Sequence, residues 1–160
     1  ALTFATIASI RNAQFSKNQA QATKLAQEGI ERVRTGRDRN QNVGIPDTSV
    51  TSWNGDNTAC PGNSTSLWCN QISSGCGSAP LSCYFNIRTS GALDYLAQSS
   101  TFPSSGADPI PPASPIFYRA VIISDDSASF ESQKTVTSVV TWIDFSGKHE
   151  SRLTTILRRR

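Results

Sequence analysis

ALTFATIASIRNAQFSKNQAQATKLAQEGIERVRT, residues Ala1 to Thr35, holds no proline and a single glycine, Gly29. Nothing in it interrupts a helix before Gly36, which reads as the C-terminal stop. At 1.5 Å per residue such a helix is about 50 Å long. Its first ten residues, ALTFATIASI, are apolar or small and carry no charge, whereas the remainder is amphipathic. Ala8, Phe15, Ala22 and Gly29 recur at seven-residue spacing, and Leu25, Ala26 and Val33 adjoin them on one face. A helix of this length outruns a compact domain, so its uncharged end is expected to project and to be buried elsewhere, in a membrane or among other copies of the chain. Ten apolar residues are too few to span a bilayer, which takes about 20. The segment, which begins without Met, therefore reads as the second half of an apolar helix, a processed or trimmed product. The plainer alternative is a core helix of a globular fold.

The chain has 160 residues, the size of one ordinary domain. With 37% hydrophobic and 17% charged residues it is neither a disordered acidic tail nor a polytopic membrane protein. The single histidine, His149, excludes a multi-histidine metal centre. No nucleophile elbow, phosphate-binding glycine loop or Cys-x-x-Cys is present, so no catalytic residue, cofactor or metal is assigned and the chain is not expected to be an enzyme. His149 beside a turn is expected to be simply exposed, and Asp144 and Glu150, which flank that turn, are not read as an acid and base pair.

Charge is uneven. Residues 1–40 carry seven basic and three acidic side chains, residues 41–130 two and six, and residues 131–160 six and three. Basic ends and an acidic middle suit head-to-tail contact, although solvated faces give similar asymmetry. Arg32, Arg34, Arg37 and Arg39 suit the negative end of the helix. Arg152, Arg158, Arg159 and Arg160 form a candidate contact for DNA phosphates or anionic head groups, with a solvated tail as the plain reading.

Residues 36–82 are rich in Gly, Ser, Asn, Thr and Pro and read as one long connection. Cys60, Cys69, Cys76 and Cys83 fall in one stretch without the close pairs of a zinc site, which suits two disulfides in an oxidising compartment, with pairing open among three possibilities. Trp53 and Trp68 are expected to pack on the disulfides or the sheet. Asn63-Ser64-Thr65 matches a glycosylation sequon. Asp125, Asp126, Ser127 and Ser129 are read as a hairpin turn, since the regular spacing of calcium ligands is absent.

The C-terminal part, residues 83–160, reads as a sheet. Cys83–Arg88 is a short strand candidate, Ala92–Ala97 a brief helix, and the prolines from Pro103 to Pro115 an extended surface link. Ile116–Ile123, Thr135–Asp144 and Glu150–Leu157 follow as an antiparallel meander. In the middle strand Val136, Ser138, Val140 and Trp142 share one face and Thr137, Val139, Thr141 and Ile143 the other, so one face should pack on the helix.

Ala1 to about Asp38, and Gln21–Asp38 in particular (QATKLAQEGIERVRTGRD), resembles the N-terminal helix of type IV pilins and related pseudopilins. Phe117, Arg119, Val121 and Ile123, followed by Val136–Asp144 and Gly147, resembles the closing strands of pilin-like proteins. The resemblance implies an α+β fold in which a helix over 1–35 packs on a three- or four-stranded antiparallel sheet, within a head of residues 36–160 that carries a disulfide-bonded loop. It implies a structural subunit of an extracellular filament, held in the inner membrane before assembly and polymerising through Leu2, Phe4, Ile7, Ile10 and Phe15. The alternatives are a minor pilin or pseudopilin of a secretion or DNA-uptake machine, with DNA or a surface ligand as partner, and a secreted globular binding module.

Overall fold

The computed structural model describes residues 2–39, 43–44, 81–124, 128–129 and 132–159, with Leu2, Val43 and Gly44 described by their backbone alone. One helix, α1 (Leu2–Asp38), precedes seven strands: β1 (Val43–Gly44), β2 (Ser82–Ile87), β3 (Leu93–Ser99), β4 (Asp108–Ile110), β5 (Phe117–Ser124), β6 (Gln133–Asp144) and β7 (Gly147–Arg158). They form one sheet in the order β1-β3-β2-β5-β6-β7, with β4 alongside β5. The short β1 runs parallel to β3, and every other pairing is antiparallel. The architecture is the expected α+β arrangement of a long N-terminal helix on an antiparallel sheet, and the sheet is broader than three or four strands.

The expected meander is present as β5, β6 and β7, each starting within three residues of its expected position. The segment Ala92–Ala97 is not a helix. Leu93, Tyr95 and Ala97 alternate along β3, Leu93 is buried, and the Tyr95 ring meets Phe85 edge-on at 5.9 Å. Six residues are too few to nucleate a helix, and pairing along β2 wins. The proline-rich link is mostly irregular, but Pro109 sits inside the three-residue β4, where an edge position tolerates its missing N–H.

Helix α1 lies across one face of the sheet through Asn18, Ala22, Ala26, Gly29, Ile30, Val33 and Gly36, all buried. Their spacing of three and four is that of one helical face. Ala22 and Ala26 pack with Phe117, Val140 and Trp142, and Val33 packs with Phe85, Val121, Ile123 and Val136. Val136, Ser138, Val140 and Trp142 thus face the helix as the alternation requires. The opposite face is covered as well. Phe102 and Ala107, from the stretch between β3 and β5, bury Tyr84, Ala120 and Val139 beneath them.

Gly36 is not a helix stop. The helix continues to Asp38, and the Arg39 N–H closes its last turn on the Thr35 carbonyl at 3.0 Å. Gly36 instead lets the helix touch the turn between β2 and β3: a Cβ there would land inside the Gly91 carbonyl group. Gly91 has φ +90°, which glycine alone adopts without strain, and a Cβ on it would strike the Gly36 backbone. Cys83, buried at the start of β2, is disulfide-bonded. Cys60, Cys69 and Cys76, Trp53, Trp68, the Asn63 sequon, Asp125, Asp126, Ser127 and Arg160 lie outside the described residues.

Candidate assembly surface and the joint with the head

The buried face of α1 begins at Asn18. Every residue from Thr3 to Lys17 is exposed, and Phe4 and Ile10 leave 80% and 68% of their surfaces in solvent. Ile7 and Phe15 are exposed to lesser degrees. At 100° per residue Phe4, Ile7, Ile10 and Phe15 fall within an arc of about 140°, a stripe wide enough to cover a neighbouring helix. Isolated exposed apolar residues are ordinary, but a row of them on an unsupported helix is not. Among the described residues no helix is long and apolar enough to cross a membrane.

Where the helix leaves the head, the tip of the β6–β7 hairpin holds it. The Phe15 ring lies 5.1 Å from the His149 ring and 6.4 Å from Trp142, and His149 stacks on Trp142 at 5.2 Å. One step outward, the Arg11 guanidinium sits 4.9 Å over the Phe145 ring. Of the five expected assembly residues, Phe15 therefore belongs partly to this joint, while Phe4, Ile7 and Ile10 stand clear of it.

His149 is half-buried in this stack rather than simply exposed. Its Nε2 lies 2.9 Å from Asp144 Oδ1 and 2.8 Å from Ser146 Oγ. Asp144 Oδ1 also accepts from the Ser146 hydroxyl at 2.7 Å and the Ser146 N–H at 2.8 Å. Burial alone would raise the Asp144 carboxyl, but the hydrogen bonds from Ser146, joined by the interaction with His149, outweigh it and hold the group below its usual range. Serine and aspartate meet the same ring nitrogen, so the trio is not a nucleophile relay, in which they would address opposite nitrogens. It pins the turn. Glu150 points away from Asp144, to the other face of the hairpin, where it accepts from Arg152.

The expected C-terminal basic cluster is divided. Arg152 lies six residues from Arg158 along β7, about 20 Å by strand rise, so the two do not form one patch. Arg158 and Arg159 end beside the helix C-terminus instead, where Arg37 donates to the Arg158 carbonyl at 3.0 Å. Of the helix arginines, Arg32 and Arg34 pair with Glu28 and Glu31.

A buried cation that sequence reasoning did not single out lies between helix and sheet. Arg119, on β5, is 1% exposed; it donates to Asp108 Oδ2 at 2.7 Å and to the Leu25 carbonyl at 3.2 Å, with Glu28 at 3.7 Å. Only its strand parity, inward with Phe117 and Val121, signals this position. Among the described residues no three His, Cys, Asp or Glu side chains gather where they could hold a metal ion.

The chain matches no family model, no curated protein and no solved structure. Its topology, a long N-terminal helix packed by its second half on an antiparallel sheet, is pilin-like.

Proposed function

We propose that the chain is a structural subunit of an extracellular type IV pilus-like filament and polymerises through its N-terminal helix. One observation carries this reading: the start of a 37-residue helix, ahead of the contacts that Arg11 and Phe15 make with the hairpin tip, leaves Phe4, Ile7 and Ile10 in solvent. Each such side chain gains about 1.5–3 kcal/mol on full burial, and several per interface offset the cost of association. A protruding stripe that packs against a different surface of the next copy makes a heterologous contact, which generates a helical filament when the rotation does not close. In this reading the partners are further copies of the chain, with the inner membrane as the reservoir before assembly, and the disulfide-bearing head faces outward.

The test is Ile7→Asp. Ile7 is 47% exposed and belongs to none of the buried clusters of the described residues, so the variant should keep the wild-type melting temperature and lose filaments. Normal filaments from folded Ile7→Asp would overturn the reading. A second reading, a scarce pilin-like component that captures DNA, rests on the basic end where Arg37 donates to the carbonyl of Arg158, next in sequence to Arg159. It predicts salt-dependent retention of DNA that falls when Arg158 and Arg159 are replaced by alanine.

A further inference from the structure

The sheet face opposite the helix carries an open groove of about 620 Å³, a volume ordinary for a small-molecule site. Its floor is the outward row of the sheet: Tyr118 stands opposite Thr141, and Ile143 opposite Lys148. One wall is the turn holding Ser104 and Ser105, and the other is Pro115 with the half-exposed Ile116. Among the described residues, Lys148 is the one charged residue lining it.

Three features narrow what fits. Lys148 reaches across the hairpin so that its ammonium lies 5.6 Å from the centroid of the buried Phe102 ring, and no carboxylate of a described residue pairs with it. Glu150, two residues along β7 on the same face as Lys148, is engaged by Arg152. Four hydroxyls, those of Ser104, Ser105, Tyr118 and Thr141, line the groove without a hydrogen bond to another described residue, and Thr141 is 3% exposed. Between them the surface is apolar, from Pro115, Ile116, Ile143 and the part of Trp142 that reaches the groove.

We propose that this groove binds an acidic sugar residue, a pyranose bearing a carboxylate. A hydrocarbon acid would satisfy Lys148 but strip water from four hydroxyls and leave them unpaired, each at a desolvation cost. A small inorganic anion would satisfy Lys148 and leave the isoleucines uncovered. A sugar acid has one C–H face for Ile116 and Ile143, a rim of hydroxyls for Ser104, Ser105, Tyr118 and Thr141, and a carboxylate for the lysine.

Glucuronate is the probe, titrated into the isotopically labelled full chain and followed by amide chemical shifts, with glucose as the neutral control. Saturable shifts confined to residues around 104–105, 116–118, 141–143 and 148 are expected, with a Kd of about 1 mM or tighter. Glucose should bind at least tenfold more weakly. Lys148→Gln, an exposed substitution whose folding the same spectrum verifies, should remove the advantage of glucuronate over glucose. Thr141→Val, which keeps the shape and drops the hydroxyl, should weaken both sugars. No saturable shift, equal binding of the two sugars, shifts centred elsewhere, or a Lys148→Gln variant that still prefers glucuronate would each overturn the proposal.

Discussion

Gly36 and Gly91 are the two positions where one carbon atom decides whether helix and sheet can meet. Gly36→Ala places a methyl group against backbone, which cannot rotate away as a side chain can, so it should destabilise the fold by about 2 kcal/mol or more, within the range of overpacked cores. Urea denaturation reads this directly; Gly147→Ala, where nothing surrounds the new Cβ and only the positive φ is at issue, should cost less. Asp144 sets a second, pH-dependent prediction. Its carboxyl is held below the ordinary value of about 3.9. A lowered folded value means the unfolded chain takes up the proton first as pH falls. The stabilisation is complete above about pH 4 and is lost as pH drops through the lowered folded value. Asp144→Asn should therefore flatten the acid limb of a stability curve recorded from about pH 5 to pH 2, and an unchanged limb would show that the carboxylate contributes nothing. The glycines illustrate where sequence reading misleads: a glycine near a helix end signals a stop, whereas the same atom count also permits close approach, and only the position of residue 91 in space distinguishes the two.

At the scale of elements, Arg119 ties three of them together, since its guanidinium joins β5 to Asp108 on β4 and to the Leu25 carbonyl of α1. Asp108→Ala leaves a buried cation without its nearest carboxylate and should cost about 3 kcal/mol, with β4 the first segment to lose amide protection in hydrogen exchange. Replacing the pair together by Arg119→Met with Asp108→Ala should cost less than Asp108→Ala alone, because no uncompensated charge remains. The elements that were legible in the sequence are those with a long, regular pattern. TVTSVVTWID assigns its own faces by alternation, and α1 is set by 35 residues without a breaker. Ala92–Ala97 was not legible because ALDYLA satisfies helix and strand propensity alike, and its pairing partner, β2, decides the outcome. The cover over the outer face was equally hidden. Nothing local to Phe102 or Ala107 tells that they seal Tyr84, Ala120 and Val139, since that contact joins residues distant along the chain.

For the molecule as a whole, the projecting start of the helix was legible from length alone, because a domain of this size is too short to cover 50 Å of helix. The joint that aims it was not: Phe15 read as one more apolar position, and His149 as an exposed residue, until the fold stacked them with Trp142. If the joint fixes the direction in which the helix leaves the head, Phe15→Ala should leave the head folded but give filaments that are fewer and more easily sheared, as seen by sedimentation after agitation. The most direct measurement of the central claim is immunogold electron microscopy of surface material sheared from the source cells, with antibodies raised against the head. The filament account predicts gold particles at regular intervals along the length of thin fibres. Label that falls on no fibre, with the protein recovered instead as dispersed single copies, would contradict it.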